Sequence, residues 1–396
     1  MNKAIKASVI GQRLFAKERM KTMFAIGKLP PEILEKIVME PMQASRVKRE
    51  DVILRPKTGE DCSAVDLGGE YCILSTDPIT GAAKDVGYLA VQINCNDIYS
   101  SGAEPMGILL TVLLPPESEE ALLEEMMSGA IRAAEERNIE ILGGHTEVTD
   151  AVVKPVISAA VIGKTRNRKI LSTGGAKAGQ DVIMTKWAGT EGTAILAKEW
   201  EEGLRQYLTE EELQNAQAMK AYLSVGKESE IAFAYGATAM HDATEGGVLG
   251  AVWEVAECSG LGVDVFVEKI PVKEETKKIC KAMGIDYLGL ISSGTMIIAA
   301  ENGERLAERL QEEGIAAAVI GKLTESGRYM LVNDMRLPLA QPKSDALYEA
   351  KLLEALPCGY LARRTFKRNN LRERPDGRSL FCPLALCFCL TVCCWG

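Results

Sequence analysis

With 396 residues, 47% hydrophobic and 26% charged, the chain carries enough apolar material for more than one core, and its length implies about two domains of mixed α/β type. The formal net charge is −9, yet residues 1–23 and 351–396 are both strongly basic, so the body between them is more acidic than the total suggests. That body is a poor electrostatic match for nucleic acid, and a phosphate ligand on it would need a divalent cation to offset the charge.

Residues 1–23 are basic throughout and hold no continuous apolar core, so they read as an N-terminal extension rather than a signal peptide. LPPEILEKIVMEPM (29–42) opens a helix after a proline pair. EDCSAVDLGG and YCILSTDPIT are strand-like runs joined by a Gly-Gly turn, which predicts a hairpin. VGYLAVQINCNDIYSS (86–101) predicts a helix ended by Gly102, with Asn94, Asp97 and Ser101 on one face. GILLTVLLP (107–115) reads as a buried strand, 118–137 as a helix, and IEILGG and PVISAAVIGK as further strands. These make a first α/β domain over 24–165.

TRNRKILSTGGAKAGQ (165–180) is a charged, glycine-rich connection to a second domain, 166–345. There DVIMTKWAG predicts a strand, GTEGTAILAKEW a helix behind two glycines, 209–236 mostly helix, GATAMHDATEGG a strand running into a loop, and VLGAVWEVAECSG the helix after it. Residues 346–396 are expected to form a poorly ordered basic tail whose apolar end, 380–396, is marginal for a membrane span. Of the eleven cysteines, Cys62, Cys72, Cys95, Cys258 and Cys280 lie in the body, widely separated, and are expected to be free thiols of a cytoplasmic protein. The other six fall between Cys358 and Cys394, with no paired spacing of a zinc site.

The common nucleotide and hydrolase signatures are missing: there is no GxxxxGK[ST], GxSxG or HExxH, and SGLGVD lacks the third glycine of a dinucleotide fingerprint. What remains is a set of acids at strand ends and loop entries: Asp61, Asp77, Asp97 and Asp242. Each taken singly reads as a solvated loop residue or a cap. Together, beside small residues, they have the chemistry of a site for Mg²⁺ and a polyphosphate, because hard cations prefer several carboxylate oxygens. The two histidines stand in similar polar clusters, GGHTEV (143–148) and HDATEGG (241–247). GGHT is either a tight turn or part of that site. HDATEGG is either a helix start capped by Thr244 with Glu245 on the helix dipole, or a phosphate approach through the free N–H groups of Gly246 and Gly247. GTEGT (189–193) reads equally as a substrate contact or a tight strand-to-helix turn.

In order, GEDCSAV, STDPITG, NDIYSSGAEPMGILLTVLLP, GGHTEV and MHDATEGGVLGAVWEVAECSGLGVDV resemble the motifs of the AIR synthase (PurM-like) superfamily, which includes HypE-like carbamoyl dehydratases, thiamine-monophosphate kinases and selenophosphate synthetases. The resemblance spans about residues 26–345 and is nearest to the HypE-like branch. It implies a two-domain PurM-like fold, a homodimer whose N-terminal domains form a barrel, and ATP with Mg²⁺ near the interface. By the same resemblance Asp61, Asp77, Asp97 and Asp242 correspond to metal- and phosphate-holding positions. Asn96, Gly143, Gly144, Thr146, Thr244, Gly246 and Gly247 are the further expected nucleotide contacts, and Asp97, His145 and Glu147 the expected catalytic groups. Family members use ATP to phosphorylate a substrate or to activate an amide or carbonyl oxygen, so the expected partner is a small-molecule or protein-borne acceptor, with no nucleic acid and no membrane. A thiamine-monophosphate-kinase-like activity and a non-catalytic nucleotide-binding scaffold are the alternatives. Two departures stand out. His145 occupies the place of the family's Asp or Glu, and the chain ends CCWG rather than in the proline-rich, cysteine-terminated end of the carbamoyl dehydratases.

Overall fold

A computed structural model describes residues 27–353, apart from Thr58, Gly81, Ala83, Pro342 and Lys343. The expected extension at 1–23 and the tail from 354 onward lie outside the described residues.

Two sheets organise the chain. The first has the order β1-β2-β3-β6-β4-β5, from β1 (Val52–Leu54), β2 (Ser63–Asp66), β3 (Tyr71–Ile79), β4 (Glu104–Leu114), β5 (Glu140–Val148) and β6 (Val156–Lys164). The β2–β3 hairpin forms as expected. Only β4–β5 is a parallel pair, joined by the long helix between those strands. One face of this sheet is covered by α1 (Val86–Ser100) and α2 (Glu120–Arg137). β4 is not buried on both sides, as its apolar run suggested. Its residues alternate, with Ile108, Leu110 and Val112 inward and Met106 and Leu109 exposed. The apolar character of the outward positions therefore needs another explanation than the core.

Helix α1 is buried over nearly its whole length, its polar Gln92, Asn94, Asn96 and Asp97 included, because it is packed on several sides. A Cβ on Gly87 would fall 1.8 Å from the Met126 carbonyl oxygen, so glycine is what lets α2 lie against it. Its other side meets the second half of the molecule: the Asn96 side chain accepts from Val225 N–H (3.1 Å) and donates to the Leu223 carbonyl (2.7 Å).

The second sheet has the order β13-β12-β9-β11-β7-β10-β8, built from β7 (Asp181–Thr185), β8 (Ala239–Asp242), β9 (Gly262–Phe266), β10 (Met296–Ala300), β11 (Ala317–Thr324), β12 (Arg328–Val332) and β13 (Met335–Pro338). All its pairings are antiparallel except β12–β9. Helices α3 (Thr190–Glu199), α4 (Glu210–Ala218), α5 (Gly226–Tyr235), α6 (Gly247–Cys258), α7 (Glu274–Met283) and α8 (Gly303–Glu312) surround it. Alternate side chains of β7 feed two cores: Val182 and Met184 pack with α6, Ile183 with α8.

Asp345 caps a 3-10 turn, Ala346–Glu349, whose Leu347 packs on the body. Among the described residues no helix is long and apolar enough to cross a membrane.

Candidate functional site

The two halves meet where α1 crosses the end of β8, and the four acids singled out in the sequence converge there. The hairpin carries Asp61 just before β2 and Asp77 on β3, α1 contributes Asp97, and β8 ends in Asp242. Asp97 is buried and accepts a hydrogen bond from Ser75 Oγ (2.5 Å). Burial raises its carboxyl well above the usual range, and the charges of Asp242, Asp77 and Asp61 push it the same way. Asp242 is fully buried. Ser100 Oγ donates to its Oδ1 (3.2 Å), while Oδ2 has no partner. Burial and then Asp61 bring Asp242 up to about 7, against the pull of His241. Asp77 lies on the open side of β3 with its carboxyl in the same crowd, and is pushed up to about 6 by burial and by Asp61. A buried, unpartnered carboxylate oxygen beside further carboxylates is the donor set a hard divalent cation takes.

His241 organises this corner. Its Nε2 lies 2.9 Å from Glu254 Oε2 on α6, and its Nδ1 lies 3.0 Å from Asp61 Oδ2, off the line of a well-formed hydrogen bond. Burial works against charging this imidazole, but Asp61 and Glu254 outweigh it and raise its pKa well above 6.5. Burial likewise opposes ionisation of Glu254, yet Lys28 and His241 hold it down at about 2. Asp61, His241 and Asp242 each place one ligand atom within 4.8 Å of the others, the one such group among the described residues. Both nitrogens of His241 already face carboxylates, so oxygen ligands from Asp61 and Asp242 fit a hard cation better than the imidazole does.

Family models fit most of this body. Residues 59–165 match the AIR synthase related protein N-terminal domain, and residues 177–333 match the C-terminal domain. The chain belongs to the AIR synthase related family. Among curated relatives it is similar to a putative hydrogenase expression/formation protein of Methanocaldococcus jannaschii, 27% identical over 77% of this chain and 91% of that protein. It is also similar to the carbamoyl dehydratase HypE of Escherichia coli, 28% identical over 72% of this chain and 88% of that one. Among solved structures, hydrogenase maturation protein HypE in complex with ATP superposes with a TM-score of 0.59 at 21% identity, covering 84% of this chain and 97% of that one. That likeness establishes a shared two-domain, mixed α/β fold.

The other expected site residues are carried by β5, α1 and the start of α6. Gly143, Gly144, His145, Thr146 and Glu147 are not in a tight turn but within β5, the exposed edge strand, where Gly143 and Gly144 have φ of +132° and +147°. His145 is exposed and pairs with Glu147 at 3.3 Å. Asn96 joins the two halves, accepting from Val225 N–H and donating to the Leu223 carbonyl. Thr244 does not cap α6. The cap is Gly246, at φ +88°. Nor are the N–H groups of Gly246 and Gly247 free: Gly246 donates to Asp345 Oδ2 (2.7 Å) and Gly247 to the Thr244 carbonyl (3.0 Å). Asp345, with its pKa raised to about 6 by burial despite three backbone N–H donors, fills the anion position at that helix start.

Sequence reading missed Glu254 and Asp345. Glu254 lies thirteen residues beyond His241 on an apolar helix, where a buried acid is the available signal. Asp345 sits in a segment with no periodicity, and nothing local marked it.

Proposed function

We propose that this protein is an ATP- and Mg²⁺-dependent enzyme that phosphorylates, and so activates, an amide or carbonyl oxygen of an acceptor. The observation that carries the proposal is the convergence of Asp61, Asp77, Asp97 and Asp242 between the two halves, with Asp242 Oδ2 buried and unpartnered. The ATP complex of HypE and the carbamoyl dehydratase relative support the same reading.

Asp61 and Asp242 would hold Mg²⁺, with Asp77 and Asp97 completing the acidic wall. The cation supplies charge neutralisation for the polyphosphate. His241 fixes Asp61 through its bridge to Glu254, and the buried position of Asp97 and Asp242 keeps bulk water from screening them. In the step itself the acceptor oxygen forms a bond to the γ-phosphorus while the bond from that phosphorus to the β,γ-bridging oxygen breaks, and ADP leaves with the electron pair. The protein's contribution is positioning and charge stabilisation.

The exposed apolar residues of the first sheet, including Leu109 and Leu142, support a homodimer closed through that face, which would bring His145 and Glu147 of β5 against a second copy. The buried thiols of Cys62, Cys95 and Cys280 fit a cytoplasmic protein. The test is Asp77→Asn with Asp242→Asn: the folded double variant is expected to lose Mg²⁺-dependent ATP binding in calorimetry. Unchanged binding in a variant with native circular dichroism would overturn the assignment.

A further inference from the structure

Lys186 follows β7 directly and has a left-handed backbone, φ +52°, a conformation that lysine adopts only where its surroundings hold it there. It is 7% exposed, and its ammonium is engaged entirely within the protein. Nζ donates to the Ser224 carbonyl (2.6 Å) and to the Gly294 carbonyl (2.7 Å), and it pairs with the buried Glu228 in the first turn of α5. Those three partners match the three N–H donors of an ammonium.

The two carbonyls belong to two loops, each of which holds one side of the acidic site. The first loop holds α1: Asn96, the neighbour of Asp97, bonds to Leu223 and Val225, on either side of Ser224. The second holds the end of β8: the Thr295 carbonyl accepts from Ala243 N–H (2.8 Å), and Met296 lies opposite Asp242 across the sheet. The loops meet back to back at Gly294, φ +96°, where a Cβ would fall 2.4 Å from the Tyr222 carbonyl oxygen. That contact stops the loops from coming closer, and Lys186 stops them from parting.

A continuous route therefore runs from Asp97 through the 223–225 loop, Lys186 and the 294–295 loop to Asp242. The direct link between α1 and β8, Ser100 Oγ to Asp242 Oδ1, is longer at 3.2 Å. Carboxylates drawn from separate elements bind a cation well when their separation is fixed beforehand, and the groups behind them supply that constraint. We propose that Lys186 is a positioning residue of the acidic site: by tying Ser224 to Gly294 it fixes how far Asp97 on α1 stands from Asp242 on β8, and so sets the affinity for the divalent cation. The role rests on the metal assignment proposed above.

A buried ion pair can also serve charge balance alone, and paired variants separate the two roles. Removing one partner leaves the other charge buried and unmatched, whereas replacing both with apolar side chains is often tolerated. Lys186→Met with Glu228→Leu removes the tie without leaving an orphan charge, and Glu228→Gln removes the charge pair while keeping the tie. Mn²⁺ is the probe, titrated into the full-length protein without nucleotide and followed by the electron paramagnetic resonance of the free ion. Tm is read on the same samples, and Asp242→Asn marks the site.

Lys186→Met should weaken Mn²⁺ binding by about tenfold or more, the usual effect of losing a group that orients metal ligands. The double variant should regain a Tm near that of the wild type and still bind Mn²⁺ as weakly as Lys186→Met, while Glu228→Gln binds it as the wild type does. Recovered Mn²⁺ affinity in the double variant overturns the role, since Lys186 then serves Glu228 alone. An equal loss in Glu228→Gln overturns it too, and so does a double variant that does not fold or regain Tm, which makes Lys186 a determinant of the fold. If Lys186→Met alone does not fold, the double variant decides. A wild type that binds no Mn²⁺, or binds it equally well with Asp242→Asn, removes the metal assignment and this role together, whereas the other outcomes leave that assignment intact.

Discussion

His241 shows how much of a site can depend on a residue that need not touch a ligand. It is 2% exposed and bridges the exposed Asp61 to the largely covered Glu254, so its imidazolium is a positive charge shared by two acids of different exposure. Replacing one member of such a pair leaves an uncompensated buried charge, which is costly. His241→Leu is expected to destabilise the protein by about 3–5 kcal/mol in urea denaturation. A loss under about 1 kcal/mol would mean that solvent already reaches Glu254. By contrast, His145 is exposed on an edge strand, and His145→Ala should leave stability within about 0.5 kcal/mol of the wild type.

At the scale of elements, the glycine pair opening α6 has a steric role. Gly247 has φ +63°, and a Cβ there would lie 2.5 Å from the Leu288 carbonyl oxygen and 2.8 Å from that of Leu290. Gly179, with φ +87°, has open space where its Cβ would go. Gly179→Ala should therefore cost about 1–2 kcal/mol from backbone strain alone. Gly247→Ala adds the clash and should cost more and shift α6, read as a larger drop in Tm together with weaker ATP binding. The first sheet offers a second case. Its outward apolar side chains, Leu109 and Leu142 among them, make Leu109→Glu with Leu142→Glu the natural probe of the proposed homodimer. Sedimentation should report a dimer for the wild type and a monomer for the variant, and a wild-type monomer would remove the barrel.

For the whole molecule, the raised carboxyls set a direction of pH dependence. Asp242 and Glu191 titrate at about 7 and Asp345 at about 6 in the folded chain, above their ordinary values near 4. An acid with a raised folded pKa favours the folded state when protonated, so this stabilisation is present below about pH 4 and is lost as the pH rises through 6 to 7. The raised His241 acts in the same direction, being lost as pH climbs past its folded value. Without metal, Tm should fall between pH 5.5 and pH 8. Mg²⁺ competes with those protons, so it should raise Tm at pH 8 by several degrees and little at pH 5.5. An equal effect of Mg²⁺ at both values would place the cation away from Asp242.

How much of this was legible beforehand differs between local and long-range features. The β2–β3 hairpin, α1 and the strand into HDATEGG follow from turn glycines and apolar periodicity, which act over a few residues, and the family motifs were readable for the same reason. Asp61, Asp77, Asp97 and Asp242 could be named from their small-residue surroundings. Their convergence could not be derived from spacing, because it depends on α1 being sandwiched between two sheets. Only tertiary structure decided that Asn96 bonds to Leu223 and Val225 and that Asp345 fills the helix start expected to be free. Each of these depends on which distant backbone group reaches a polar side chain once the chain has closed, and a linear pattern carries no term for that. The sequence by itself determined the elements and the family. The pairing of their polar groups was decided by packing, since burial makes every unsatisfied donor and acceptor find a partner wherever the fold supplies one.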